Sequence, residues 1–491
     1  MNALYLFVAV LVPCVGGILT PLIPWKKRSH MLVYLECLVI ANSILVWTLL
    51  LHRPAEIFTL VHFTGNLAIA FQLDGLGSIF AGLISFLWPL ATLYAFEYMT
   101  KESHEKTFFM FYTITYGVTL GIALADNFLT MYCFYELLTL VTLPLVMHTL
   151  TREAILASRK YLYYSIGGAA FAFIGMIFVI LYGETSDFML GGVMNMARIA
   201  GGKNIFLLVY VLSFFGFGVK AAVCPFNSWL PQAGVAPTPV TALLHAVAVV
   251  KSGAFAIMRL TFYCFGADFL RGTWAQYLVM AAVLITIVYG SSMALKEMHL
   301  KRRLAYSTIS NLSYILFGVV IMTPAGLAAA LSHMLFHAFM KICSFFCAGA
   351  IMHQTERHYI HQLDGFGRKM PKVFFVFTVS ALALMGVPGL CGFISKWNLA
   401  DAAIASKNVL AYFGVGALLV SALLTAMYML TIVIRAYFPK ADFDYNTIAD
   451  VKDPNWMMLL PLFVFVIGIV GFGICSIPVN ELFGAVSHGS F

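Results

Sequence analysis

Apolar residues in this chain fall in long, nearly unbroken runs separated by short polar stretches. Runs long enough to span a bilayer recur roughly at 3–23, 31–51, 74–96, 107–125, 127–148, 161–182, 205–224, 239–263, 275–294, 304–323, 325–351, 373–394, 409–437 and 457–478. The pattern predicts about fourteen helices, each near the ~20 residues that a hydrocarbon core requires. Strands of a transmembrane barrel alternate polar and apolar positions, and these runs do not. The expectation is an all-α polytopic membrane protein. The longest polar breaks, near 52–73 and 183–204, hold little more than a short hairpin or helix. No loop is long enough for a soluble module.

Two segments interrupt the regular pattern. In Cys224–Pro239, Pro225, Pro231, Pro237 and Pro239 break a stretch that otherwise reads as two helices. In Gly386–Gly392, Pro388 and three glycines sit inside an apolar run, with Lys396 a turn beyond. Helix breakers at membrane depth are tolerated where the freed backbone is buried in protein or lines a polar cavity. Paired interruptions point to a transport site. Lys220 falls on the seventh run and Lys396 on the twelfth, five runs apart. A five-helix unit repeated once enters the membrane from opposite sides, which predicts an inverted repeat with broken helices 7 and 12. The expected division is a three-helix segment at 1–106, a first half at 107–263 (helices 4–8), a second half at 264–440 (helices 9–13), and a last helix within 441–491.

Composition agrees with the runs. The 491 residues are 62% hydrophobic and 10% charged, with a mean hydropathy of +0.92; a soluble domain carries about 25% charged residues. The first run begins at Asn2 without a small-residue cleavage site and is expected to be retained. Nineteen basic residues fall on one set of alternate loops and five on the other. That asymmetry places the basic loops on the inner side of the membrane and both termini outside; the membrane is expected to be the prokaryotic cytoplasmic membrane. The net charge of +8 follows from this loop bias and implies contact with anionic lipid rather than nucleic acid. The nine cysteines are dispersed through apolar segments and form neither C-x-x-C nor an iron–sulfur spacing. The G-F-G stretches at Gly216–Gly218 and Gly365–Gly367 lack the strand context of a dinucleotide fingerprint. No redox centre, cofactor, metal or nucleotide site is expected in this chain.

The candidate chemistry lies in titratable groups within the runs. Lys220, Lys251, Lys341 and Lys396 each sit deep in apolar sequence. A charge at the bilayer centre costs roughly 2.5–3.5 kcal/mol even on the gentlest insertion scale, so such residues are usually functional. A desolvated lysine also gives up its proton readily, and a row of such amines is a route for protons. Glu136, mid-run in Y-E-L-L-T-L-V-T-L-P, needs a cationic partner, and Lys220 is the natural one. At 4 Å and an effective dielectric of ~20, their attraction is about 4 kcal/mol. The alternative is a static ion pair that fixes helix packing.

His245 and Lys251 are six residues apart, about 240° around a straight helix, and share a face only if that helix is distorted. His333, His337 and Lys341 fall at i, i+4 and i+8, along one stripe of about 12 Å. The histidines fit a proton relay, satisfied structural roles, or a zinc pair; a metalloprotease helix carries Glu between them, and Met334–Phe336 supplies none. His353, Glu356, His358 and His361 cluster in a following loop and read first as solvated. Asp74 reads as a helix cap, Glu36 stays open, and Ser307–Asn311 reads as the polar start of a helix.

At these residues the sequence resembles the antiporter-like membrane subunits shared by respiratory complex I, energy-converting membrane-bound hydrogenases and Mrp-type sodium/proton antiporters. K-A-A-V-C-P-F-N-S-W-L-P-Q-A-G-V-A-P-T-P-V-T-A-L-L-H-A, from Lys220 to Ala246, carries most of the likeness. Leu300–Tyr314, His333–Lys341, Leu363–Pro371 and Val387–Lys396 add to it, and the resemblance covers roughly 70–440. It implies that Glu136 and Lys220 form a proton-loading pair and that Lys251 and His245 bridge the halves. His333, His337 and Lys341 would continue the polar axis, and Lys396 would be the exit lysine. It also implies a proton- or sodium/proton-translocating subunit, without redox chemistry of its own, in a redox-driven complex whose other subunits carry iron–sulfur clusters. A subunit of a Mrp-type antiporter is the alternative. A single-chain secondary transporter and a purely structural anchor are further readings. The longest family members continue into a lateral helix, which this chain is expected to lack. Tyr135 stands where the family often has tryptophan, and Asn227 where it often has histidine.

Overall fold

In a computed structural model that describes residues 2–65 and 67–490, every one of the fourteen apolar runs carries a helix. The first six are α1 (Leu4–Leu22), α2 (Arg28–His52), α3 (Gly75–Tyr98), α4 (Glu105–Ala123), α5 (Phe128–Val146) and α6 (Arg152–Tyr182). The seventh is α7 (Lys203–Gly218), and the eighth is divided into α8 (Thr238–Ala246) and α9 (Val249–Met258), the latter running into a π-helical turn at Arg259–Phe265. Then come α10 (Trp274–Lys296), α11 (Leu300–Val320) and α12 (Pro324–Thr355). The twelfth run gives α13 (Pro371–Met385) and, past its break, α14 (Cys391–Ala405). The chain continues through α15 (Val409–Tyr437) and α16 (Trp456–Ile474) to α17 (Ile477–Ser487), which the runs did not predict. Among the described residues, ten helices are long and apolar enough on their own to cross a membrane; α7 and α13 are shorter apolar helices. The chain is a multi-pass membrane protein.

Polar side chains placed just before the apolar runs set the helix starts. Asp74, Asn127, Thr151 and Thr323 each accept a hydrogen bond from the backbone N–H three residues on, at 2.9–3.2 Å. Asp74 is thus the cap the sequence suggested, and it also holds the buried Arg259 through both carboxylate oxygens. The first long polar break folds as a hairpin, β1 (Phe58–Thr64) against β2 (Leu67–Phe71), antiparallel.

Contacts between loops sort into two sets, as alternate crossings demand. On one face Arg28 pairs with Glu105 at 2.5 Å, Arg302 with Glu153 at 2.7 Å and Arg435 with Asp364 at 3.2 Å. On the other, the Asp126 N–H donates to Ala70, Phe188 to Asp126, Gly191 to Phe262, and the Arg271 guanidinium to Met322. The first face holds the loops rich in Lys and Arg. Two of its basic residues are not loop residues in the ordinary sense: Lys301 and Arg303 are buried, at 7% and 2% exposure.

The buried centre is α12, which packs against α8, α11, α13, α14 and α16. Its inward face carries both histidines and the lysine of the predicted stripe.

Candidate functional site

Both predicted breaks are present, and each places a lysine. After Gly218 the seventh helix unwinds. Lys220 lies in this turn, and Ala222, two residues on, adopts a φ of +55°, rare for a residue with a Cβ. Gly253 of α9 lies against the same turn: a Cβ there would meet the Ala221 nitrogen at 2.6 Å. The turn is therefore clamped, and the Lys220 side chain points at α5. Its ammonium lies 3.7 Å from Glu136 Oε1 and over the Tyr135 ring, 3.4 Å from the centroid, and it donates to the Tyr135 carbonyl. The pair is real but asymmetric. Lys220 is buried, whereas the Glu136 side chain is 27% exposed at the lateral surface. Tyr135 gives the amine an aromatic face, and its hydroxyl donates to the Phe217 carbonyl at 3.2 Å.

The eighth helix is broken between His245 and Lys251, the kind of distortion that a shared face for the two would need. Val247 leaves the helical region (φ −137°, ψ −63°), and the freed Ala246 carbonyl accepts from the Lys251 ammonium. Lys251 also reaches His337 Nδ1 at 3.3 Å. His245 stacks on Phe345, 4.7 Å between centroids, and neither ring nitrogen has a hydrogen-bond partner.

Along α12 the three-group stripe is as drawn from sequence. The His333 and His337 rings stack 5.7 Å apart. They do not converge as a chelate: His333 Nδ1 meets Ser395 Oγ of α14 at 2.9 Å, while His337 turns to Lys251. Among the described residues, no group of three or more His, Cys, Asp or Glu side chains could hold a metal ion. Lys341 donates to Ser307 Oγ at 2.7 Å and the Leu304 carbonyl at 3.2 Å, and Tyr428 donates to the same Ser307 hydroxyl at 2.7 Å. Lys396 spans the second break from α14 to the end of α13, donating to the carbonyls of Leu384 at 2.6 Å and Met385 at 3.0 Å. The Tyr314 ring lies 5.5 Å from that amine and 5.2 Å from His333.

Six of the eight predicted groups, from Lys220 through Lys341, are almost wholly enclosed in the bundle, while Glu136 and Lys396 are partly exposed. Lys251, His337, His333 and Ser395 follow one another in a line, with a hydrogen-bond contact at each end and a ring stack between the histidines. Among the described residues, no side-chain hydrogen bond joins the Glu136–Lys220 pair to Lys251. Sequence reasoning missed Ser395, Tyr314, Tyr428 and Lys301. Ser395 and Tyr314 lie inside the motifs already quoted, but nothing in a serine or tyrosine signals a role until a histidine faces it. Lys301 was counted as a loop cation; its ammonium instead reaches back to the Ala236 carbonyl at 3.0 Å, in the proline-rich break.

The loop cluster does not converge. Glu356, His358 and His361 are exposed, as a solvated reading implies, but His353 is not a loop residue. It lies buried at 8% exposure in the last turn of α12, its ring 5.6 Å from that of Tyr98. His358 packs near His299 with centroids 5.8 Å apart, and His361 stacks on Tyr359. His299, which precedes α11, is pushed down to about 4, first by burial and then by the neighbouring Lys301 and Arg302.

The family described as NADH:quinone oxidoreductase/Mrp antiporter, TM matches residues 125–425. The chain belongs to this family. The matched stretch contains every group of the Lys–His line and both breaks. Among curated proteins the chain is 28% identical over 528 residues to "Putative antiporter subunit mnhA2" of Staphylococcus aureus (strain MSSA476), with 99% of this chain covered. It is similarly related to the protein of the same name from strain MRSA252, over 96% of this chain. It spans 64% and 62% of the length of these relatives, less than two thirds. Three solved structures share the fold at low identity. A chain of the Mrp complex from Dietzia sp. DQ12-45-1b superposes with a TM-score of 0.86 at 22% identity, over 99% of this chain and 52% of that one. A chain of an archaeal membrane-bound sulfane sulfur reductase gives 0.83 at 21% over 98% and 97%, and a chain of respiratory complex I from Thermus thermophilus gives 0.80 at 21% over 99% and 100%.

Proposed function

We propose that this chain is the ion-translocating membrane subunit of a multi-subunit complex, and that protons move along its buried lysines and histidines. The observation that carries the reading is the line of Lys251, His337, His333 and Ser395, joined by contacts of 3.3 Å, 5.7 Å and 2.9 Å at the centre of a membrane bundle. In that setting an amine or imidazole kept without a carboxylate is costly, and exchange of a proton is the chemistry it offers. Glu136 and Lys220 act as the loading pair. When they are close the amine keeps its proton, and when they part the desolvated amine releases it toward the line. His245, with two unpartnered nitrogens, is the bridge, and Lys396 closes the path at the second break.

Membership of the family and the likeness to subunits of three multi-subunit assemblies support partners among other membrane subunits. The bacterial origin of the curated relatives supports a prokaryotic cytoplasmic membrane, and the excess of basic residues on one face supports that face being inside. Two driving forces fit the same line. A redox-driven complex, whose other subunits would hold iron–sulfur clusters, is the reading taken from the sequence. A gradient-driven antiporter is favoured by the name of the curated relatives.

Glu136→Ala and Lys220→Ala test the mechanism. Each is expected to abolish ion translocation in membrane vesicles, followed with a pH-sensitive dye, while the complex is still recovered at near-normal yield. Normal translocation by both variants would overturn the pair.

A further inference from the structure

Of the four buried lysines, Lys341 is held differently from the others. Lys220 meets a carbonyl and a carboxylate, Lys251 a carbonyl and an imidazole, and Lys396 two carbonyls. Lys341 meets the Leu304 carbonyl and the Ser307 hydroxyl. Among the described residues, no side-chain hydrogen bond joins it to Lys251, His337 or His333. Its polar connection leaves the Lys–His line and runs toward α15. Ser307 Oγ lies 2.7 Å from the Lys341 amine and 2.7 Å from the Tyr428 hydroxyl, which in turn lies 3.1 Å from Thr425 Oγ1. All four side chains are at 0–1% exposure.

The far end of this chain is fixed in place. Ser421, one turn before Thr425 on α15, shares hydrogen bonds of 2.5 Å with Ser291 of α10 and 2.9 Å with Ser310 of α11, and those two serines lie 2.8 Å apart. This ring of three hydroxyls ties α15 to both neighbouring helices. Thr425 donates its own hydrogen to the Ser421 carbonyl at 2.7 Å, which leaves its oxygen to accept from Tyr428. The Arg303 guanidinium holds the Tyr428 carbonyl at 2.8 Å. The phenol is thus set between two acceptors, Ser307 and Thr425, with one hydrogen to give.

A buried amine that exchanges a proton changes its needs as it does so. The ammonium has N–H donors and no acceptor, whereas the neutral amine has a lone pair that takes a donor. A carbonyl serves only the first state; a hydroxyl serves both. With Lys341 charged, Ser307 accepts from it and donates to Tyr428, which donates to Thr425. With Lys341 neutral the order reverses, so that Tyr428 donates to Ser307 and Ser307 to the amine. Only rotations of O–H bonds separate the two arrangements.

We propose that Ser307 and Tyr428 are positioning residues of the proton path, a reversible hydroxyl pair that keeps Lys341 hydrogen-bonded both with its proton and without it. The inference rests on the reading of Lys341 as a proton carrier given above.

Translocation by the intact complex in vesicles, followed with a pH-sensitive dye and compared with Lys220→Ala, tests the pair. Ser307→Ala and Tyr428→Phe are each expected to slow translocation several-fold at normal recovery of the complex. The double variant should be no slower than the slower single one, because the two hydroxyls act as one unit. Ser307→Thr, which keeps the hydroxyl, should restore most of the rate. Thr431→Val removes a hydroxyl of the same helix that bonds the Met427 carbonyl at 2.6 Å and should run at the parent rate. In heavy water Tyr428→Phe should slow by a larger factor than the parent, since proton exchange at Lys341 then limits the cycle. That comparison decides the matter if the Ser307 variants fail to assemble, and equal factors would overturn the pair. Tyr428→Phe at the parent rate with Lys220→Ala inactive would overturn the pair and leave the loading step standing. Parent rates in both would sink the path and the pair with it.

Discussion

Lys396 shows how a residue can have two jobs that substitution can separate. Its ammonium donates to the carbonyls of Leu384 and Met385, capping the end of α13 across the break. Alanine leaves those carbonyls unpartnered, at a cost of about 1–3 kcal/mol for each buried group. Glutamine keeps an N–H donor but has no proton to exchange. Lys396→Gln is therefore expected to assemble like the parent and to fail in translocation, whereas Lys396→Ala should lose yield as well. Vesicle assays paired with recovery of the complex read both quantities. Translocation at the parent rate by the glutamine variant would mean that the residue only caps the helix. The contrast also marks what the sequence disclosed at this scale. All eight titratable groups were legible, because an ionisable side chain is costly inside an apolar run and stands out against it. Their uncharged partners were not. Ser395 and Tyr428 are ordinary helix residues until the fold sets them against His333 and Ser307.

Among the elements, the decisive features are the places where helices stop. The sequence exposed both main breaks, because proline and glycine interrupt apolar runs in only a few ways. It did not expose the break at Val247, where no proline or glycine stands; there the freed Ala246 carbonyl is taken up by the Lys251 ammonium, and in the sequence the site showed only as an awkward six-residue spacing. The clamp on the first break is the glycine at 253. A methyl group there would press on the Ala221 nitrogen at 2.6 Å and the Lys220 carbonyl carbon at 3.0 Å, both backbone. Gly253→Ala should cost about 1–3 kcal/mol, as overpacking of a tight core does, and should slow translocation by displacing Lys220. Gly416→Ala on α15, where an added Cβ meets nothing within 4 Å, should be neutral or stabilising, by up to ~1 kcal/mol from helix propensity. Thermal melts of the two purified variants make the comparison.

For the molecule as a whole, the two-faced arrangement of loops followed from the alternation of runs and the placement of basic residues. The count of helices was harder to read, because α14 and α17 are too short or too polar to stand out as separate spans. What would drive the proposed translocation is a property of the assembly. The complex purified through this chain in mild detergent is expected to show broad iron–sulfur absorption, bleached by reductant, if a redox partner drives it. A colourless complex retaining several small hydrophobic subunits would instead mean an antiporter driven by ion gradients.

One helix ties these scales together. At 32 residues α12 is one uninterrupted rod about 48 Å long, well beyond the ~30 Å of a hydrocarbon core. His333, His337 and Lys341 are fixed to that rod, while their partners Ser395, Lys251 and Ser307 are carried by three different helices. A small rotation of the rod about its own axis changes all three distances at once. On the proposed proton path, the three contacts would then make and break in step, like teeth on a single shaft, and not each on its own.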